Sequence, residues 1–333
     1  MFLTDLGRGR ERGSSSSIEK VSRTIIRPVA LLLFVVFLGI PVLHRALAAE
    51  SICNRGDIFI CDDFATITQD STAGGWYDWN DVSKIPQVDT TVGLTDSRSI
   101  RLDLAAASVP INPDNGTGAI STGTIRHQIP NISTGQTLYC RWYAKWSNNF
   151  QFVPGGSGAK HFYIWAYAGN GGPTHGDWQH RFRFSYRNPT GCCSGPFSNP
   201  NIARLQWDVS DNELGENIAQ TNLTAGPWYA IELYIKVNTV NVNDGEVKWW
   251  INDVLQGSYT GVNVRGVNGD GYTKDATVPF NAVSFDGYFG GIETNVHPAQ
   301  SIYYDNIVCS SNKVGLAGSS NVSPSVATGL TAQ

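Results

Sequence analysis

The 333-residue chain has little charge and one methionine, and after residue 50 no amphipathic helix of useful length can be traced. Only 16% of residues are charged, while 11% are aromatic and 35 are Gly. That balance excludes an intrinsically disordered chain, which is charge-rich and aromatic-poor. No C-x-x-C or His-Cys spacing marks a zinc site. A basic excess is also missing. Seven of the 24 Lys/Arg and three of the 28 Asp/Glu fall in residues 1–49, so the remainder carries 17 basic against 25 acidic residues, a net charge of −8. This is not the footprint of a nucleic-acid binder, and affinity for an acidic polymer would require a local basic face.

What is present begins with an export signature. Arg8, Arg10, Arg12, Lys20, Arg23 and Arg27 precede an apolar run at 29–43, and Ala46-Leu47-Ala48 follows as a small-x-small cleavage site. That order reads as a secretory signal over residues 1–49. The alternative is an uncleaved membrane anchor, but the run is shorter than the ~20 residues of a spanning helix and Pro41 interrupts it. A secreted or extracellular location is therefore expected, membrane-anchored if the signal is retained. All six Cys lie after it (Cys53, Cys61, Cys140, Cys192, Cys193 and Cys309). An even number in an exported chain argues for disulfides and leaves their connectivity open. The preferred pairing is Cys140 with Cys309 and Cys53 with Cys61, leaving the adjacent Cys192 and Cys193.

From residue 61 to 310 the chain reads as strand after strand. The runs lie at 99–104, 137–146, 160–167, 180–187, 203–209, 228–237, 246–255, 285–292 and 301–309. Period-two alternation rich in aromatic and β-branched residues marks half-buried strands, and the intervening PDNGTG, PGGSG, GNGGP, VNDG and VNGDG segments are turn chemistry. This predicts an all-β, two-sheet antiparallel β-sandwich over residues 50–312. Residues 313–333, small and polar, are expected to be a disordered tail or linker.

Particular segments carry a resemblance. WYAIELYIKVNTVNVNDGEVKWWINDVLQ (228–256) followed by YYDNIVCS (303–310) resembles a pattern of the concanavalin A-like lectin/glucanase superfamily, and within it jelly rolls of the polysaccharide-lyase type. CDDF (61–64), TLYCRWYAKWSNNF (137–150) and PGGSGAKHFYIW (154–165) add to it. The resemblance implies a concanavalin A-like jelly roll and a polysaccharide partner. It does not choose among lectin, hydrolase and lyase. The E-x-D-x-x-E strand of many glucanases of this fold is absent, the nearest acidic stretch being DVSDNE (208–213). The Q-I-H and Y-F-K-A-G-V-Y-N-Q segments of one alginate-lyase group are absent as well, so no catalytic residue is carried over.

Candidate residues come instead from strand parity, since i, i+2 and i+4 share a face. In 228–237, Tyr229, Ile231, Leu233, Ile235 and Val237 form the apolar set, with Trp228, Glu232, Tyr234 and Lys236 opposite. The other polar sets are Tyr139, Arg141, Tyr143 and Lys145; His161, Tyr163 and Trp165; Arg181, Arg183, Ser185 and Arg187; and Gln206 with Asp208. With the strand order implied by the resemblance, these sets are expected to share the concave side of one sheet.

A uronate lyase must neutralise the sugar carboxylate, remove the neighbouring proton and protonate the leaving oxygen. Arg183 and Gln206 suit the first task, His161 the second, and Tyr163 or Tyr234 the third. Arg141, Tyr143, Lys145, Trp165, Arg181, Asp208, Glu232 and Lys236 would line the substrate. For each residue the plainer reading is a cross-strand pair on a solvated face. The first function expected is an extracellular polysaccharide lyase cleaving a uronate-containing polymer by β-elimination. The second is a non-catalytic carbohydrate-binding or adhesion domain, with Trp76, Trp79, Trp165 and Trp178 as platforms. The third is a glycoside hydrolase using Glu232 and Asp208.

HGDWQH (175–180) is read as a loop at the groove rim. Asp62, Asp63 and Asp305, on the first and last strands, are candidate ligands of a structural Ca²⁺, an ion the resemblance also implies. The competing role is a hydrogen-bonded Asp at a strand end. No organic cofactor is implied, and a monomer is expected.

Overall fold

The structure, a computed structural model, describes residues 52–68, 75–78, 86–104, 106, 121–152, 159–168, 178–187, 202–209, 221–265, 275–289 and 298–317. At 121–123, 159, 178, 187, 208 and 288–289 it describes the backbone alone. Within these residues the strands are β1 (Ile58–Asp62), β2 (Trp76–Asp78), β3 (Gln87–Asp89), β4 (Ser99–Leu104), β5 (Ser121–Ile132), β6 (Thr137–Trp146), β7 (Ala159–Tyr167), β8 (Trp178–Arg187), β9 (Ile202–Val209), β10 (Leu223–Thr224), β11 (Trp228–Lys236), β12 (Gly245–Ile251), β13 (Val254–Val262), β14 (Phe280–Phe289) and β15 (Gln300–Ser310). They form two antiparallel sheets. One is eight-stranded, ordered β13-β12-β11-β6-β15-β4-β3 with β1 also on β15, and the other is seven-stranded, ordered β10-β9-β8-β7-β14-β5-β2. This is the two-sheet sandwich expected, with the jelly-roll architecture that the resemblance implied.

Aromatic residues on the inner faces make the core. Trp142 of β6 stacks on Phe162 of β7 at 4.1 Å, and Phe285 of β14 stacks on Tyr304 of β15 at 4.3 Å, each pair crossing between the sheets. Trp249 of β12 stacks on Tyr259 of β13 and meets Trp207 of β9 edge-on. Such pairs add ~0.5–1.5 kcal/mol beyond the area they bury. Gly257 of β13 is required here, because a Cβ on it would lie 2.6 Å from the Trp249 ring.

The 246–255 run, continuous in alternation, is broken by a hairpin turn. Asn252 and Asp253 have φ of 51° and 64°, the paired positive values that match a two-residue turn to the twist of its strands.

Cys140 and Cys309 face each other across β6 and β15 and are disulfide-bonded, with Cα atoms 4.1 Å apart. Cys53 and Cys61 form the second bridge. Both match the preferred pairing; Cys192 and Cys193 lie outside the described residues.

Val314 is fully buried with Ile52 and Val308, and residues 313–317 form a strap described below. The strap escapes detection because its contacts are mostly main-chain hydrogen bonds, which composition does not reveal. Residues 1–51 and 318–333 lie outside the described residues.

Candidate functional site

Three polar rows cross the outer face of the seven-stranded sheet. The first runs through Arg181, Trp165, Ala282 and Gln128. The second runs Asp208, Arg183, Tyr163, Ser284, Arg126, Tyr77, from β9 to β2. The third runs Gln206, Ser185, Lys160, Tyr288. Directly opposed residues bring their Cβ atoms to ~4.5–5.5 Å, so the rows are continuous contact surfaces. Tyr163, Arg183, Gln206, Trp165 and Arg181 thus come together as the sequence suggested; Asp208 joins them by register, its side chain lying outside the described set.

Lys160 reaches this face through a β-bulge. Lys160 pairs with Ser185 and Phe162 with Phe184, so β7 holds one residue more than β8 between these points. The extra residue is His161. A bulge puts two successive side chains on one side of the sheet, and here His161 and Phe162 both turn into the core. Lys160 then falls on the same side as Tyr163, ~7 Å along the strand. Period-two counting back from Tyr163 places residue 161 on the face and residue 160 off it; the bulge inverts that assignment.

Along β7 an aromatic ladder stands on the outer face. Tyr163 stacks on Trp165 at 4.6 Å with an interplanar angle of 8°, and Trp165 stacks on Tyr167 at 5.7 Å. The Trp165 Nε1–H donates to Ser284 Oγ at 2.8 Å. Guanidinium groups flank the ladder from both sides. Arg126 of β5 lies over Trp165 and Tyr167 at 5.5 and 5.6 Å, and Arg181 of β8 lies over Tyr163 and Trp165 at 5.8 and 5.9 Å. Burial raises the buried Asp286 carboxyl, while Arg126, Arg181 and hydrogen bonds from Thr124 and Ser284 oppose the shift. Burial likewise pushes Tyr77 up to about 12, with Arg126 pulling it down. Among the described side chains the face thus holds Lys160, Arg126, Arg181 and Arg183 against Asp286, a local positive excess on an acidic chain. Arg126, Tyr167 and Asp286 were missed with Lys160. β5 contains Pro130 where its register with β14 slips, and a Pro inside a run argues against a strand.

His161 is not a base on this face. It is fully buried between the sheets. Trp142 Nε1–H donates to its Nε2 at 3.0 Å. Its Nδ1 meets the hydroxyls of Tyr186 and of Tyr304, the latter at 2.9 Å. Burial lowers the imidazole to about 3, so the ring is neutral and without access to substrate.

Tyr234 is displaced for a different reason: β6 and β11 belong to the eight-stranded sheet. Arg141, Tyr143, Lys145, Glu232, Tyr234 and Lys236 therefore stand on the opposite outer face of the sandwich from Tyr163 and Arg183. Parity assigned them correctly to a polar face, but parity cannot say which sheet. The strap covers part of this surface. Glu232 accepts the Val314 N–H at 2.8 Å and the Gly315 N–H at 3.2 Å. Arg141 donates to the carbonyls of Gly315 and Asn306, and Tyr143 accepts the Ala317 N–H at 3.0 Å. The cross-strand neighbours Glu232 and Arg141 are both buried. Tyr234 rests on Tyr139 at 4.7 Å under Lys248. Glu232 and Asp208, on different sheets, do not flank a common glycosidic bond.

The aspartates of the first and last strands each accept main-chain N–H groups, and the Asp63 charge acts on both Asp62 and Asp305. Asp62 accepts the Phe64 N–H at 2.6 Å and the Trp76 Nε1–H at 2.7 Å, Asp63 accepts the Ala65 N–H, and Asp305 accepts the N–H groups of Leu94 and Asn306. Among the described residues no three His, Cys, Asp or Glu side chains gather to hold a metal ion. Trp76 is a core residue against Phe64 and Phe285 rather than a platform. His180, the end of the 175–180 segment, is buried edge-on to Phe280; Trp79, the Trp178 side chain and residues 175–177 lie outside the description.

No family model matches the chain, and no curated protein matches it by sequence. Solved structures do match. The alginate lyase Aly36B, as a double mutant with an alginate trisaccharide, superposes with a TM-score of 0.50 at 16% identity, over 77% of this chain and 99% of that one. The marine alginate lyase of Aplysia kurodai gives 0.47 at 15% identity, over 72% and 92% of the two chains. An endo-β-1,4-glucuronan lyase from the fungus Trichoderma reesei gives 0.44 at 14% identity, over 74% and 96%. At such identities what is shared is the fold.

Proposed function

We propose that the protein is an exported polysaccharide lyase that cleaves a uronate-containing polymer by β-elimination. The observation that carries this reading is the row structure of the seven-stranded sheet. It sets Lys160, Tyr163, Arg183 and Gln206 on adjacent rows beside an aromatic ladder. Arg183 and Gln206 would receive the uronate carboxylate, the guanidinium by charge-assisted hydrogen bonds and the amide by neutral ones, and so stabilise the charge that develops when the adjoining C–H is ionised. The Gln206 Oε1 atom is buried without a hydrogen-bond partner.

Lys160 would take the proton from C5. The electron pair forms the C4–C5 double bond as the C4–O bond breaks, and the Tyr163 phenol gives its proton to the departing oxygen. Lys160 is buried on a face that also carries three guanidinium groups. The Tyr163–Trp165–Tyr167 ladder offers sugar rings an apolar platform. A solved alginate lyase bound to an alginate trisaccharide supports the choice of substrate class, and the two disulfides support an oxidising, exported location.

The test is incubation with alginate, glucuronan and pectate while ultraviolet absorbance of the unsaturated product is followed. The expected result is product from at least one polymer with wild type and none with Lys160→Ala. Binding without product from any of them would leave a non-catalytic carbohydrate-binding domain, the reading that the ladder alone supports.

A further inference from the structure

Behind the outer face lies a buried polar cluster that the chemistry above does not use, and it is centred on the bulged residue. A bulge leaves its extra residue out of the regular ladder, and main-chain groups so released need partners if buried. Here the His161 carbonyl is met by the Tyr304 hydroxyl at 3.3 Å. The side chain is held as completely. Trp142 Nε1–H fixes Nε2 as an acceptor, which leaves the proton of the neutral ring on Nδ1, facing the hydroxyls of Tyr186 and Tyr304. Trp146 Nε1–H closes the cluster on the Tyr186 hydroxyl at 3.1 Å. These partners come from β6, β8 and β15, so residue 161 is gripped from both sheets at once. An apolar residue would fill the space but leave the Trp142 indole N–H and the Tyr186 and Tyr304 hydroxyls without their imidazole partner in the core.

We propose that His161 is a positioning residue, whose cluster with Trp142, Tyr186 and Tyr304 pins the β7 bulge and thereby sets Lys160 on the outer face in register with Ser185. The inference rests on the assignment of Lys160 as the base. It gives the core cluster a role that stability alone does not require. Without the bulge, strict alternation would turn Lys160 inward and put residue 161 on the face.

The test compares His161→Phe, which keeps a ring and removes both nitrogen contacts, with His161→Gln, which keeps an acceptor for Trp142. In the folded Phe variant kcat falls about 10²-fold, the scale of a misplaced catalytic group, while KM changes by less than about threefold. The Gln variant recovers most of the loss. Independently of turnover, reductive methylation of Lys160, read by peptide mass spectrometry against the other lysines, changes in the Phe variant and returns in the Gln variant. If His161→Phe does not fold, Tyr304→Phe is read in the same way.

Unchanged kcat and unchanged labelling in a folded Phe variant overturn the proposal, as does equal loss in the Phe and Gln variants. If the wild type turns over no uronate polymer, the lyase reading fails, while the labelling comparison still decides the positioning role.

Discussion

Arg141, Tyr143 and Glu232 on one sheet, and Arg183, Tyr163 and Gln206 on the other, are alike in kind and lie on strands of similar pattern. On the eight-stranded sheet the chain itself occupies such a surface, with residues 313–317 laid across it and their main-chain groups answered by Glu232, Arg141 and Tyr143. On the seven-stranded sheet Gln206 Oε1, Arg126 Nε and Asp286 Oδ1 are buried without hydrogen-bond partners, and so are Arg141 Nε and Asn306 Nδ2 beside the strap. Buried polar atoms left in this way are uncommon in folded proteins and ask for an explanation. The contrast is between a polar face over which residues 313–317 of the chain itself are laid and one on which the described residues show no such strap.

The contrast is broken most severely at Lys160. Lys160→Ala is expected to lower kcat by about 10³-fold, within the range of removing a general base, with the melting temperature little changed; an equally active variant would remove the amine from the chemistry. Next is Arg183→Ala, expected to cost about 10²-fold in kcat/KM through lost stabilisation of carboxylate charge, measured on the polymer that wild type cleaves. On the opposite face the loss should be in folding. Glu232→Ala leaves the buried N–H groups of the strap unanswered and should destabilise by about 2 kcal/mol in denaturant titration, with activity per folded molecule unchanged.

The interior between the faces has its own signature. Burial lowers His161 to about 3 and His180 to about 4. Because the unfolded forms titrate near 6.5, the unfolded chain binds the protons first. Stability from these two groups is full above about pH 6.5 and falls as pH drops toward 4, each contributing up to about 1.4 kcal/mol per pH unit. His180→Asn should flatten that dependence in thermal melts, and a slope equal to wild type would refute the assignment. The smallest effect is expected for Tyr234→Phe, less than about twofold in kcat/KM, since its hydroxyl meets Glu246 on the far sheet and cross-strand surface pairs are worth little.

Much of the sandwich was legible because its long strands carry clean alternation. β4 and β6 begin and end at the residues that periodicity marks, and the inward set Tyr229, Ile231, Leu233 and Ile235 is buried as read. Short strands such as β2, β3 and β10 hold too few residues to show a period. Of the rows on the seven-stranded sheet, Tyr163, Arg183, Gln206, Trp165 and Arg181 were placed together by parity. His161 and Lys160 were exchanged because a bulge alters parity by one without any mark in composition. Tyr234 and Glu232 were placed on the wrong side because sheet membership is a property of long-range pairing. A Lys immediately preceding a His at the start of an aromatic strand, after a Gly-rich turn, is the local signal that invites a second count.

The Cys140–Cys309 bridge has a topological consequence. Its two ends are 169 positions apart, and the stretch between them includes β7, β8, β9 and β14, and with them Lys160, Tyr163, Arg183 and Gln206. Cutting the polypeptide anywhere inside that stretch opens a ring without separating its pieces. A nicked molecule would still travel as one species and hold Lys160, Arg183 and Gln206 tethered to the β6–β15 pair, and only reduction would let the fragments part.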